Sequence, residues 1–192
     1  AYQAAARELS QQRAKAAPKL SRAITQAMQG LGMQGGKFEV QLDKLTEPSP
    51  HGVDSVQFLV AGHPGATPKP IGKVASGGEL SRLSLAIAVT TSQLGQAGTL
   101  IFDEVDSGVG GAVAETVGKL MRALGRDRQV LAVTHLPQVA ACADHHLLVS
   151  KQLSDEQIGS RVTPTHGEDR IPEIAPMLAG ENRSATTLEH AR

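Results

Sequence analysis

The sequence predicts an α/β domain whose core is a mostly parallel sheet with flanking helices. Two short apolar runs, residues 99–102 and 129–134, have the length and composition of buried strands. The segment between them, residues 112–124, has helical periodicity. A strand, a helix and a strand in this order form a parallel pair. Two alternating runs nearer the start, residues 37–42 and 55–60, add a short antiparallel hairpin.

Residues 1–33 are predicted to be helical. Apolar residues recur there at helical spacing, which places on one face Leu20, Ile24, Ala27 and Leu31. A seven-residue spacing of Tyr2, Leu9 and Ala16 suggests the end of a coiled coil, but Pro18 interrupts it, and an ordinary amphipathic helix is the alternative. Gly35-Gly36 is expected to end the helix.

The remaining elements follow from the same patterns. Residues 61–73 read as a loop rich in glycine and proline, and residues 80–94 as a helix. The second half of the chain is predicted to contain a short helix at 137–143, a strand pair at 146–151 and 159–165, and closing helices at 170–179 and 184–192.

Composition indicates an ordinary globular chain. Its 192 residues are enough for one domain, and 19 basic residues balance 19 acidic ones, so any contact with nucleic acid must be local. A single cysteine, Cys142, favours a reducing compartment, and no apolar run is long enough to cross a membrane. We therefore expect a cytoplasmic protein without a membrane partner. Because the chain lacks an initiator methionine, we also expect it to be part of a longer protein.

Two adjacent carboxylates, Asp103 and Glu104, follow the apolar run 99–102. A buried strand that ends in this way delivers both side chains to the carboxyl edge of the sheet, where ligands of open α/β folds bind. Asp103 can hold Mg²⁺, because a hard cation prefers oxygen ligands. Glu104 can orient and polarise an attacking water in phosphoryl transfer. Taken alone, such a pair is more often a solvated pair of charges.

The turn Ser76-Gly77-Gly78-Glu79 opens the predicted helix that precedes these carboxylates. Its glycines let the backbone approach a ligand, and the start of a helix offers unpaired N–H groups and a positive dipole end, which suit a phosphate. The same residues also form a capping box, with Ser76 as N-cap and Glu79 three residues on. Both interpretations can hold together, since the cap geometry builds the anion site.

His135 ends the second apolar run. In a parallel strand-helix-strand unit both strand ends lie at the same edge of the sheet, so His135 could hydrogen-bond a γ-phosphate or the attacking water. A structural histidine is the alternative. The glycine-rich loop 105–111 between the two runs can form a contact between subunits or a plain turn into the helix.

Residues 76–81, 100–111 and 133–140 resemble, in order and spacing, the signature motif, Walker B strand, D-loop and switch histidine of ATP-binding-cassette (ABC) ATPases. The variants found here are VASGGELSR at 74–82, FDEVDSG at 102–108 and THLPQV at 134–139. They resemble the RecN family, bacterial DNA double-strand-break repair ATPases related to the structural-maintenance-of-chromosomes (SMC) proteins. The resemblance covers essentially the whole chain.

The resemblance implies that residues 34–192 are the C-terminal half of an ABC-type ATPase head and that residues 1–33 are the end of its coiled coil. The Walker A lysine and the Q-loop would lie in an N-terminal half of the same protein. The most similar stretch here, residues 65–74, has too long a spacing between its glycines and is stiffened by prolines, so we reject it as a phosphate loop. The chain alone is therefore expected to be inactive.

The resemblance also implies ATP sandwiched between two heads of a homodimer. The residues that would contact ATP across the dimer are Ser76, Gly77, Gly78, Glu79 and Asp106. The residues that would serve the nucleotide of their own subunit are Asp103 with Mg²⁺, Glu104 and His135. Hydrolysis would be coupled to head engagement and to binding or tethering of DNA during repair and recombination, in the cytoplasm and on the nucleoid.

Two other functions share some of these motifs. A transporter ATPase would carry the same signature and Walker B strand, but its phosphate loop normally lies upstream without a coiled-coil segment between. A non-hydrolysing scaffold that pairs with another head or with DNA is the second alternative, against which the presence of Glu104 argues.

Two further groups of residues carry weaker signals. The run 142–146, with Cys142 and two histidines, lacks the second ligand cluster of a structural metal site, so core packing is expected for the cysteine. Some basic side chains could meet phosphates of nucleotide or DNA but are mostly expected to be solvated charges: Arg82, Arg122, Arg126 and Arg128.

Overall fold

The structure is a computed structural model, and it describes residues 1–74, 76–92, 94–95, 97–154 and 157–179. The predicted helix at 184–192 lies outside these residues. The helices of the described part are α1 (Tyr2–Gln29), α2 (Gly77–Thr90), α3 (Gly111–Leu124), α4 (Pro137–Ala141) and α5 (Ile171–Ala179). Its strands are β1 (Lys37–Ser49), β2 (Gly52–Ala61), β3 (Lys69–Pro70), β4 (Thr99–Phe102), β5 (Gln129–Ala132), β6 (His146–Ser154) and β7 (Gln157–Thr165). Two 3₁₀ turns, Ile71–Lys73 and Gly167–Arg170, precede α2 and α5.

The apolar face predicted for the first helix is confirmed. Ile24 in α1 and Leu31 just after it are fully buried, while Leu20 and Ala27 pack partly buried against the same core. The helix ends earlier than predicted, with Gly30 as its C-cap. The chain then turns sharply at Gly32, whose φ of 76° is a left-handed conformation that favours glycine. The interpretation of α1 as the end of a coiled coil stays a prediction.

The predicted hairpin is confirmed and is longer than expected. Strands β1 and β2 pair antiparallel from Lys37 opposite Ala61 to Lys44 opposite Asp54. Beyond an irregularity, Ser49 pairs with Gly52, so both strands extend past the alternating runs. The predicted loop 61–73 also contains strand β3, which pairs with the end of β2, and a 3₁₀ turn.

Helix α1 runs along the free edge of β1. The hydroxyl of Thr25 accepts a hydrogen bond of 2.9 Å from the N–H of Phe38, and that of Ser21 accepts one of 2.9 Å from the N–H of Val40. These side chains replace the partner that a neighbouring strand would give, because a backbone donor left without a partner is costly when buried. The hairpin and α1 therefore form one layer.

Strands β4 and β5 form the predicted parallel pair, with α3 between them along the chain. Thr99 lies opposite Gln129 and Phe102 opposite Ala132, so the two strands end at the same level. Their predicted burial is wrong: Phe102 is buried, but Ile101 is 71% exposed and Val133, just after β5, is 65% exposed. In the described part this sheet has two strands only, and one of its faces stays open.

Helix α2 starts before the predicted helix at 80–94, because its N-cap is Ser76. It also ends earlier than predicted, at Thr90. Leu83, Leu85 and Ala86 of α2 are buried in the core that α1, β1, β4 and α3 also share. Strands β6 and β7 form the predicted pair, antiparallel from His146 opposite Thr165 to Ser154 opposite Gln157. The α/β class is confirmed. Of the sheets in the described part, the β4–β5 sheet is parallel and the other two are antiparallel.

None of the helices described here combines the length and the apolar composition that crossing a bilayer requires.

Candidate functional site

The turn before α2 is an exposed helix start. The side chain of Ser76 accepts a hydrogen bond of 3.3 Å from the N–H of Glu79, which is half of the predicted capping box. Ser76 and Gly77 are exposed, whereas Gly78 is buried. The cap leaves neighbouring N–H groups at the positive end of the helix, the arrangement that binds phosphates. The turn can therefore serve as a cap and as an anion contact.

Asp103 and Glu104 are both exposed at the end of β4. The chain turns there through Glu104, whose φ of 55° lies in the left-handed region that non-glycine residues rarely adopt. Two hydrogen bonds hold the turn, one of 2.9 Å from the N–H of Glu104 to Oδ1 of Asp103 and one of 3.0 Å from the N–H of Ser107 to the carbonyl of Glu104. Such strained residues cluster at functional sites.

The Glu104 side chain lies directly against Gly77. A β-carbon added to Gly77 would stand 2.2 Å from Oε2 of Glu104, a distance that real atoms do not reach. The hydroxyl of Ser81 also donates a hydrogen bond to the carbonyl of Asp103. The resemblance assigned the serine-glycine turn and the carboxylates to two different nucleotides, and the structure brings them together within one chain. A side chain at position 77 would force the carboxylate of Glu104 to move.

Gly78 has a different partner, the loop that follows β4. A β-carbon at Gly78 would lie 2.9 Å from Cβ of Ser107. Arg82, one turn further along α2, is only 6% exposed, and its Nη1 donates a hydrogen bond of 2.6 Å to the carbonyl of Ser107. Burial lowers the pKa of Arg82, partly opposed by nearby Glu79. The expectation that Arg82 is a solvated charge or a phosphate contact is therefore wrong.

Glu79 points away from this contact, toward the end of the hairpin. A β-carbon at Gly62 would lie 3.3 Å from Oε2 of Glu79. Both residues line an open cavity of about 400 Å³ beside the turn, with an apolar floor that includes Leu83. The side chain of Glu79 thus packs on its own chain, and its predicted contact to ATP across a dimer stays a prediction.

Asp106 is buried, with 2% of its surface exposed. Its Oδ2 accepts hydrogen bonds from the hydroxyl of Thr134 and, at 3.2 Å, from the N–H of His135. Nδ1 of His135 lies 3.6 Å from the same oxygen. The resemblance implied a contact between Asp106 and the nucleotide of a neighbouring subunit, but this carboxylate points into its own chain, so a direct contact from this side chain is not supported.

His135 lies at the same sheet edge as the carboxylates. The N–H of Val133 donates a hydrogen bond of 3.0 Å to the carbonyl of Phe102, so the chain continues in register past both strand ends. The imidazole is 73% exposed. Asp103, Glu104 and His135 thus share one edge with their side chains open to solvent, where they can face a ligand.

The sequence-based search missed two residues of this site, Thr134 and Ser107. Each acts through a contact between segments far apart in the chain, and the only local signal was the Thr-His pair at the end of an apolar run. Thr134 also fixes the turn after it, since its Oγ1 accepts a hydrogen bond of 3.1 Å from the N–H of Leu136.

The other residues singled out have structural partners. Arg122 lies 3.1 Å from Asp144 in an exposed ion pair, and Arg128 donates a hydrogen bond of 2.6 Å to the carbonyl of Ser92. Cys142 is half-buried and packs against Gly118. Burial lowers the pKa of His146. Among the residues described, no three candidate ligands cluster in a way that would hold a metal ion.

No protein-family model matches the chain. It is 45% identical over all of its 192 residues to DNA repair protein RecN of Vibrio cholerae serotype O1, covering 35% of that relative. The RecN protein of Xylella fastidiosa is 46% identical over 93% of the chain, and the match covers 32% of that relative. The RecN protein of Treponema pallidum is 40% identical over 98% of the chain, and the match covers 34% of that relative. The resemblance to RecN predicted from the motifs is therefore confirmed.

Solved structures agree on the fold. An Smc head domain with a coiled coil and joint from Pyrococcus yayanosii superimposes with a TM-score of 0.58 at 22% identity, over 81% of this chain and 28% of that one. A structure described under ATP-driven dimerisation and DNA-stimulated activation of SMC ATPases superimposes with a TM-score of 0.52 at 21% identity, over 85% of this chain and 93% of that one. The chain has the fold of one lobe of an SMC-type head. It spans about a third of the length of the RecN proteins it matches.

Proposed function

We propose that this RecN-like chain, with its SMC-type head fold, is the C-terminal part of an ATPase that acts in DNA double-strand-break repair and recombination, and that it carries the C-terminal half of the ATPase head. Two heads would hold ATP between them, and its hydrolysis would couple head engagement to binding or tethering of DNA in the cytoplasm. The observation that carries the proposal is the common edge at which β4 and β5 end, beyond which Asp103, Glu104 and His135 are all exposed.

The roles at this edge follow from the side chains. Asp103 would hold Mg²⁺ together with phosphate oxygens, since this cation usually binds through one or two carboxylates and keeps several waters. The ion would neutralise charge on the phosphates during transfer. Glu104 would accept a proton from the attacking water, and His135 would donate a hydrogen bond to the γ-phosphate or hold that water.

Ser76 and the start of α2 would contact the nucleotide of a second head. Ser76 is exposed, and the helix start presents the donors that a phosphate requires. The contact between Gly77 and Glu104 would then let a phosphate at the turn influence the carboxylate of the same chain. This pairing in a homodimer is part of the proposal.

The partner that supplies the phosphate loop would be the N-terminal half of the same protein. The open face of the β4–β5 sheet supports this, because three large apolar side chains are exposed there: Ile101, Leu131 and Val133. Apolar patches of this kind mark surfaces that other elements cover. The chain also spans only about a third of its relatives, which leaves room for such a half.

The test is Glu104→Gln in the full-length protein. The amide cannot accept a proton, so we expect ATP binding at unchanged affinity and hydrolysis lowered by about 10² to 10⁴-fold, the range for a lost general base. Glu115→Gln, at an exposed position of α3, is the matched control and should hydrolyse ATP normally. Phosphate release and equilibrium binding of a fluorescent ATP analogue measure the two quantities. Normal turnover by Glu104→Gln would remove Glu104 from this role.

A second measurement tests the half-site. The 192-residue chain alone should release no phosphate above background, and turnover should appear when the N-terminal half is added. Turnover by the chain alone would contradict the proposal that the phosphate loop lies elsewhere.

A further inference from the structure

The buried carboxylate of Asp106 is the most unusual group near the site. Burying a charge is expensive unless donors surround it, and Asp106 is 2% exposed. In the described part of the chain no lysine or arginine lies within ion-pair distance of it, and the one ionisable side chain near it is that of His135. An apolar side chain at this position would leave the donors that now reach Asp106 without an acceptor, which is costly where they are buried.

The donors that Asp106 uses all come from one short segment. Thr134 gives its hydroxyl, and His135 gives its backbone N–H at 3.2 Å. Thr134 in turn accepts from the N–H of Leu136 at 3.1 Å. The backbone on both sides of His135 is therefore tied to one carboxylate, while the imidazole itself stays 73% exposed.

The position of Nδ1 restricts the imidazole further. It lies 3.6 Å from Oδ2 of Asp106, too far for a hydrogen bond, so this side of the ring faces the carboxylate. Nε2, on the opposite side of the ring, is then the nitrogen directed away from Asp106 and free to meet a ligand.

We propose that Asp106 is a positioning residue that holds His135, through Thr134 and the backbone, in the orientation that its reaction with the nucleotide requires. This inference rests on the proposed function. It differs from a nucleotide contact by Asp106 itself, since the carboxylate acts through His135 and touches no ligand.

The first test does not depend on hydrolysis. Hydrogen–deuterium exchange of the full-length protein should show slow exchange at the amide of His135, and Asp106→Ala, which removes the acceptor, should speed it in the peptide that covers 133–137. Thr134→Val, which removes the hydroxyl at nearly constant size, should have the same local effect, and Thr134→Ser should restore protection. Unchanged protection in both Asp106→Ala and Thr134→Val would overturn the inference.

The second test is a double-mutant cycle on ATP turnover. Thr134→Val should lower kcat by about tenfold, the lower end for loss of a group that orients a ligand, with KM for ATP unchanged. In a His135→Ala background the same change should have no further effect, because its target is gone. An equal loss of kcat with and without His135 would show that Thr134 acts structurally and would overturn the inference.

The two proposals fail in different ways. If Glu104→Gln hydrolyses ATP normally, the proposed function fails while the exchange result at His135 still decides whether Asp106 holds that segment. If Glu104→Gln is inactive but the cycle is additive, the ATPase assignment stands and the role of Asp106 is wrong.

Discussion

Nη1 of Arg82 donates a hydrogen bond of 2.6 Å to the carbonyl oxygen of Ser107, across 25 positions of the chain. This contact joins the helix that begins at the serine-glycine turn to the loop that leaves the acidic pair. It lies beneath the exposed residues of the site, since Arg82 is 6% exposed while Ser107 is exposed. The start of α2 and the loop after the acidic pair are therefore fixed relative to each other by a buried cation.

Replacement of Arg82 by alanine should destabilise the protein. The change removes a charged hydrogen bond, leaves the carbonyl of Ser107 without its donor and opens a void where Arg82 is buried, so we expect the free energy of unfolding to fall by about 2 to 3 kcal/mol. Arg126→Ala removes the same side chain from an exposed position and should change it by less than about 0.5 kcal/mol. Urea denaturation followed by circular dichroism compares the two. Equal stabilities would mean that the buried contact contributes nothing.

A methyl group at Gly77 should disturb the carboxylate of Glu104. The added β-carbon would stand 2.2 Å from Oε2, so the Glu104 side chain must move, and ATP hydrolysis in the full-length protein should fall by about 10²-fold or more. Gly98→Ala is the control, because a β-carbon there meets nothing within 4 Å. Steady-state phosphate release checks the expectation. If Gly77→Ala were as active as Gly98→Ala, the proximity of Gly77 to Glu104 would have no bearing on catalysis.

Ser76→Arg should prevent two heads from pairing. The exposed N-cap would gain a long side chain that fills the space at the helix end where a phosphate is expected, and it would lose the hydrogen bond that it accepts from the N–H of Glu79, worth about 1 kcal/mol as a cap. Light scattering with ATP in a Glu104→Gln background measures the dimer. Ser160→Arg places the same residue on exposed β7 and should leave pairing intact. ATP-dependent dimers of Ser76→Arg would refute the cross-subunit contact.

Asp54 should give the chain a stability that decreases in acid. Hydrogen bonds from Lys44 and Ser10 lower its pKa from the ordinary 3.8, opposed by burial. A carboxyl with a lowered folded-state pKa contributes fully above its unfolded value and loses that contribution as pH falls through the folded value. Asp54→Asn should therefore reduce stability near pH 7 and flatten its decrease below pH 4.

Exposed Asp127→Asn is the control for this change. Urea unfolding from pH 7 to pH 3 gives both curves. Parallel curves for wild type and Asp54→Asn would show that the hydrogen bonds from Lys44 and Ser10 to Asp54 do not contribute to the pH dependence of stability.

Local pattern was enough to predict most elements, because a period of two or 3.6 residues shows in a short window. The β4–α3–β5 unit and the β6–β7 pair were predicted in this way. The common edge of Asp103, Glu104 and His135 also follows from the sequence, since parallel strands joined by a helix end on the same side. The N-cap at Ser76 could be predicted for the same reason, as a cap is a contact within four residues.

Burial and side-chain direction depended on contacts between distant segments. The sequence could not show that Arg82 is buried under Ser107, that Asp106 points inward to Thr134, or that Gly77 touches Glu104. It also predicted buried strands where Ile101 is 71% exposed. The sequence thus determined which chemical groups reach the sheet edge, through periodicity and chain order. The tertiary structure decided which of them face solvent and which hold the others, because burial depends on what packs from elsewhere in the chain.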